Sequence, residues 1–113
     1  REGADALLRL AEPPTAIVAA NDELAMGAIE AARVLGLRVP QDLSVVGFDD
    51  TSGALMSSPP LTTVHQPLRE MGALALRTAV RLALGETVEF SHVELATELV
   101  VRDSTGAPRG RPD

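Results

Sequence analysis

Apolar residues along the chain follow two rhythms: short unbroken runs, and longer stretches in which they recur every three to four positions. The first rhythm belongs to strands buried in a sheet, the second to amphipathic helices. Residues 4–11 carry the helical spacing and are stopped by Glu12, Pro13 and Pro14. Residues 15–20 (TAIVAA) are a β-branched apolar run, as in a strand covered on both faces. Asn21 and Asp22 end that run, and Asp22 is the expected N-cap of the helix ELAMGAIEAARVLG. Gly36 stands where a helix C-cap glycine belongs, and Pro40 follows at a typical stopping distance. Residues 43–48 (LSVVGF) read as a second buried strand. Residues 15–48 are thus expected to be a β-α-β unit with a right-handed crossover.

Beyond Asp49 and Asp50 the pattern becomes irregular, with one helical turn expected at residues 54–56 before Pro59 and Pro60. Residues 61–66 (LTTVHQ) read as a third strand, and Pro67 suits the first position of a long helix. On that helix Leu68, Met71, Ala75, Ala79 and Leu82 form an apolar stripe, with Glu70, Arg77 and Arg81 opposite, and Gly85 ends it. Residues 93–101 are the fourth strand, and DSTGAPRGRPD reads as a polar, mobile tail. Alternating strands and helices predict an α/β class fold, a three-layer α/β/α sandwich with a mostly parallel sheet. Four strands and about three helices make a thin, partial domain. The chain also opens REGADALL, inside a helix and without an initiator Met, as a piece of a longer protein would.

Composition narrows the function by exclusion. Only Phe48 and Phe90 are aromatic, so the core is aliphatic and few rings are available to stack on a sugar or a base. The net charge of −6 and the scattered arginines, paired only at Arg109 and Arg111, argue against direct nucleic-acid binding by this segment. Without cysteine there is neither a disulfide nor a thiolate metal site, which suits a cytoplasmic protein. No apolar run reaches the roughly 20 residues of a membrane span, so no membrane partner is expected.

The strand ends carry the candidate chemistry, because parallel sheets bind ligands at the carboxyl ends of their strands. Asn21 and Asp49 occupy the last strand positions on that rim and are expected to face a small polar ligand. Asp22 is read as a helix cap, and Asp50 with Thr51 as the cap of the following turn. The helix after Asn21 is expected to turn Leu24, Ala28, Ala31 and Leu35 to the sheet. Met26, Ile29, Glu30 and Arg33 fall opposite, either as a solvent face or as part of a subunit interface. Ser57, His65 and Asp49 supply the residue types of a triad, but no nucleophile elbow frames the serine. His65 and His92 lack metal-pair spacing, and no phosphate-binding glycine loop occurs. No enzyme activity, metal or cofactor is therefore expected.

The segments AANDELAMGAIEAARVLGLRVPQDLSVVGFDDT and PPLTTVHQP, in this order and spacing, resemble the LacI/GalR family of bacterial transcription repressors, and the likeness resumes at ELVVRDST. The resemblance implies a periplasmic-binding-protein-like (type I) effector core behind an N-terminal DNA-binding headpiece absent from this chain. It places residues 1–64 in the C-terminal lobe, 65–93 in the N-terminal lobe, and 94–113 on the return to the C-terminal lobe. It carries effector contacts onto Asn21, Asp49 and Gln66, whereas Leu68 stands where some members place an aromatic ring. It adds a homodimer interface through Met26, Ile29, Glu30, Arg33 and Leu55, within the stretch 54–56. The implied function is allosteric: a small polar effector, a sugar or related metabolite, alters operator DNA binding in the cytoplasm. The alternative is an extracytoplasmic sugar-binding protein of a transporter, which shares the fold and an AND-like motif; RVPQDLSVVGFDDT and PPLTTVHQP favour the regulator.

Overall fold

The computed structural model of the protein describes residues 1–89 and 92–108. The chain runs α1 (Glu2–Leu8), β1 (Ala16–Val18), α2 (Asp22–Val34), β2 (Ser44–Val46), α3 (Ser52–Met56), β3 (Thr63–His65), α4 (Leu68–Ala83) and β4 (Glu98–Val100). Strands β1 and β2 pair in parallel, with Ile17 opposite Val45. Strands β3 and β4 pair antiparallel, with Val64 opposite Leu99. Parallel bridges at Val46–Thr62 and Asp49–His65 join the two ladders, giving the order β1-β2-β3-β4. The expected α/β layering with a mostly parallel sheet is present, with β4 as the antiparallel member.

The core sits between α2 and the sheet and is built from small and aliphatic side chains: Ala25, Ala28, Ala32, Leu43, Val45, Ala54 and Leu61 are almost fully buried. Alanines on α2 let the helix axis lie close to the strands. The buried arc of α2 is rotated from its expected position. Ala25, Ala28, Ile29, Ala31 and Ala32 lie inside, while Leu24 is half exposed. The reason is that α1 and α3 also pack on this helix, so it buries a wide arc rather than one stripe. Ile29, expected at a subunit interface, is only 8% exposed and belongs to the chain's own core.

Two further expectations are corrected. Strand β1 is not covered on both faces among the described residues, since Val18 is 79% exposed. The segment after β4 is not a loose tail throughout: Ser104 is fully buried, its Oγ donates to Val45 O at 2.6 Å and accepts from Thr62 N at 2.8 Å. Its carbonyl accepts from Val45 N at 2.8 Å, so this segment extends the sheet's hydrogen bonding. Arg109 and Arg111, and the ring of Phe90, lie outside the described residues.

Helix α4 begins at Leu68, with Pro67 as its N-cap rather than the expected first helical residue, and has no buried residue. Leu68, Met71 and Leu82 on its apolar stripe are 51%, 40% and 54% exposed, so that stripe has no covering layer among the described residues. A cavity of about 480 Å³ separates its Met71, Leu74 and Leu82 from Val93 and Leu95.

Gly47 is the most tightly enclosed of the described glycines. A Cβ there would lie 2.8 Å from Leu61 Cδ2 and 3.2 Å from Asp22 Cα, and would run into the Asp22 carboxylate. Overpacking of this kind costs roughly 1–3 kcal/mol. In the full-length protein Gly47→Ala is expected to lower the urea midpoint accordingly; an unchanged midpoint would show that this packing tolerates a methyl group.

Candidate functional site

The carboxyl ends of β1, β2 and β3 lie side by side, and the chain leaves them through Asn21, Asp49 and Gln66 respectively. All three side chains are partly buried. Asn21 adopts an extended backbone and is the N-cap of α2: its Oδ1 accepts from Leu24 N at 2.8 Å. The expected cap, Asp22, is instead the first helical residue. The cap uses the one side-chain oxygen of Asn21, which leaves the Nδ2 group as the donor the rim can offer.

Asp22 has a different task. It is 1% exposed, and its Oδ2 accepts from Thr51 N at 2.7 Å and from Thr51 Oγ1 at 3.0 Å. Its Oδ1 accepts from Thr63 Oγ1 at 2.5 Å. The Asp22 amide in turn donates to Phe48 O at 2.9 Å. One buried carboxylate thus joins the β1–α2 turn, the loop after β2 and strand β3. A buried charge requires this degree of satisfaction.

The two adjacent acids are held in opposite ways. Asp49 continues the parallel ladder, its amide donating to Val64 O at 2.9 Å, and its Oδ1 accepts from Gln66 Nε2 at 2.8 Å. Asp50 does not cap α3; Thr51 is the residue preceding that helix, and it makes no side-chain cap bond. Instead Asp50 Oδ1 meets Arg102 Nη2 at 2.6 Å, and Oδ2 meets His65 Nδ1 at 2.9 Å. Arg102 also donates through Nη1 to Leu61 O at 2.9 Å. Asp49 and Asp50 have φ of 112° and 56°. The second is a left-handed conformation that Asp tolerates, whereas the first is strained for a residue with a Cβ, at a cost on the order of 1–3 kcal/mol.

Residue patterns named Asn21 and Asp49, and the family resemblance added Gln66; both missed Arg102 and Thr63 and read Thr51 only as part of a turn cap. Arg102 carried one usable signal, a single charge directly after the apolar run of β4. The remaining expected positions lie on α2 and, for Leu55, on α3. Met26 is partly buried against α3, with Gly53 close to its Cε, and Leu55 is 62% exposed. Glu30 accepts from Arg33 Nε and Nη2, both at 2.7 Å, as a surface pair. Ile29 drops out of that face for the packing reason given above. The α4 cavity touches the rim only at Gln66, and its apolar lining sets it apart from the polar edge. Among the described residues no group of His, Cys, Asp or Glu is arranged to hold a metal ion.

The Arg102 guanidinium hydrogen-bonded to Asp50 holds that carboxyl below the usual carboxylate range; partial burial opposes the shift and His65 reinforces it. A carboxyl depressed on folding stabilises the fold at neutral pH and loses that contribution as pH falls through its folded value. The full-length Asp50→Asn protein is therefore expected to lose less stability than wild type between about pH 5 and pH 3. Equal losses in urea titrations at the two pH values would contradict this.

The sequence model of the periplasmic binding protein-like domain matches residues 1–105. The HTH-type transcriptional regulator DegA of Bacillus subtilis is 55% identical over 92 residues, 81% of this chain and 27% of that protein. The Lac repressor dimer bound to operator and the anti-inducer ONPF superposes with a TM-score of 0.84 at 38% identity, over 94% of this chain and 37% of that one. The transcriptional regulator CelR in complex with cellobiose gives a TM-score of 0.75 at 41% identity, over 80% of this chain and 28% of that one. The chain thus spans about a quarter of the length of DegA. It belongs to the periplasmic binding protein-like family, within the LacI/GalR branch of that fold.

Proposed function

We propose that this chain is the portion of a transcriptional repressor's effector core that reads a small polar metabolite and joins two subunits. The observation that carries the reading is the meeting of Asn21, Asp49 and Gln66 at the carboxyl ends of three adjacent parallel strands. The amide of Asn21 offers donors and the Asp49 carboxylate offers acceptors, the complement that vicinal hydroxyls of a sugar require. A sugar is favoured as effector because CelR, similar over most of this chain, is described with cellobiose. In this reading residues 1–64 form the C-terminal lobe, 65–93 cross into the N-terminal lobe, and 94–113 return.

The mechanism is allosteric. An effector bridging the lobes stabilises one lobe orientation, and a headpiece outside this chain translates that orientation into operator affinity. Moving such an equilibrium from 1:99 to 99:1 takes about 5.5 kcal/mol of differential binding, more than one hydrogen bond supplies. Met26, Leu55 and the Glu30–Arg33 pair are the proposed homodimer surface, with Ile29 removed from it. The named relatives are regulators rather than enzymes, which supports a binding function in the cytoplasm over both catalysis and transport. No described helix is long and apolar enough to cross a membrane.

A thermal-shift screen of the full-length protein against glucose, maltose, cellobiose and hypoxanthine tests this. A true effector at 100 times its Kd adds about 2.7 kcal/mol of stability. Asp49→Ala is expected to abolish the shift while leaving the ligand-free melting point close to wild type. Asn21→Ser keeps a good helix cap but removes the amide donor, so it is expected to weaken the shift without destabilising the apoprotein. A full shift retained by Asp49→Ala would remove the proposed site.

A further inference from the structure

Asp49 alone does not determine where its carboxylate points. Its backbone lies at φ 112°, away from the wells an ordinary side chain prefers, and Asp50 follows at φ 56°. Such a pair persists only where surrounding contacts over-determine it. Among the described residues the Asp49 side chain makes one bond, to Gln66 Nε2. The Asp50 side chain makes two, to groups from two different elements: Arg102, just beyond β4, and His65, the last residue of β3. Arg102 is itself fixed three times over, through Nη1 to Leu61 O, through its amide to Thr62 Oγ1 at 2.9 Å, and through Asp50. It is the better-buried arm of the pair, at 15% side-chain exposure against 48% for His65.

The chain order repeats across the two segments. Asp49 and Asp50 are neighbours on one side, His65 and Gln66 on the other, and each acid bonds one member of the second pair. Backbone bonds from Gly47 N to Thr62 O and from Asp49 N to Val64 O, both at 2.9 Å, set the register of the two segments, and the Asp50–His65 contact closes it at the rim beside the Gln66–Asp49 bond.

We infer that Asp50, clamped between Arg102 and His65, is a positioning residue for the proposed effector site: it keeps Asp49 in its unfavourable backbone conformation and so aims the Asp49 carboxylate at the cleft and Gln66. This rests on Asp49 being the effector contact. Through Arg102 the clamp ties the aim of Asp49 to strand β4, and through His65 it ties it to the turn that leads into α4. A shift of either element then redirects the carboxylate, which gives the site a mechanical link to the segments on both sides of it.

The test needs no effector. In the full-length protein labelled with ¹⁵N-glutamine, the Gln66 side-chain amide reports its bond to Asp49, and Asp49→Ala defines the resonance position when that bond is gone. Asp50→Asn and Arg102→Gln are expected to move the Gln66 resonance toward the Asp49→Ala position, and Arg102→Lys, which keeps a charge on Asp50, to move it less. His65→Ala removes the exposed arm and is expected to give a smaller displacement in the same direction, which covers the case in which Asp50→Asn or Arg102→Gln fails to fold. A Gln66 resonance that stays at its wild-type position in any folded clamp variant overturns the inference. If Asp49→Ala retained its thermal shift with the sugar panel, the effector reading would fall while this resonance test kept its meaning.

Discussion

The Asp22 carboxylate is the contact on which the rest of this structure depends. It is a charge taken almost wholly out of water, which is unfavourable unless every oxygen is bonded. Two threonine hydroxyls and one backbone amide, from two other segments, meet that requirement. The bonds explain why Gly47 has no side chain, since the carboxylate occupies the space a Cβ would fill. They also bring the ends of three strands into one edge. Asn21 precedes Asp22, Asp50 precedes Thr51, and Gln66 lies three residues beyond Thr63, so the rim is assembled by fixing the residues beside it.

Electrostatics then separates the two acids that follow β2. Asp50 is paired with the Arg102 guanidinium and hydrogen-bonded to His65, whereas among the described residues the Asp49 side chain has only an amide partner, on the rim. Two free carboxylates side by side would repel one another, and committing one to an arginine leaves a single acceptor for a ligand. Gln66 bonds that acceptor without neutralising it, and in the proposed effector site such an amide partner could be exchanged for a hydroxyl at little net cost.

Strand runs, the glycine at the end of α2 and the proline before α4 were legible because each is a local signal with a fixed spacing. Strand ends in a parallel sheet share one edge, which is why Asn21 and Asp49 could be placed together from the sequence; Gln66 was named only by the family resemblance. What escaped local reading depended on contacts between distant segments. Asn21 and Asp22 are both good caps, and only the distant Thr51 and Thr63 decide which of them turns inward. Asp50 looked like the cap of a following turn until Arg102, fifty-two residues away in sequence, claimed it. Ile29 followed the polar face of a helix wheel that assumes one partner, whereas α2 has a sheet below it and α1 and α3 beside it. Ser104, in a polar stretch, is buried because its hydroxyl bonds a carbonyl of β2.

Among the described residues the apolar stripe of α4 and Val18 of β1 are exposed, which suits the larger effector core proposed for this protein. Within such a core the rim described here would form one wall of a cleft. The most direct measurement is a crystal structure of the full-length protein with the compound that most raises its melting point. The account predicts ligand hydroxyls within hydrogen-bonding distance of the Asp49 carboxylate and Asn21 Nδ2, with Asp50 still bonded to Arg102. A ligand bound elsewhere, with Asp49 still bonded to Gln66 alone, would contradict it.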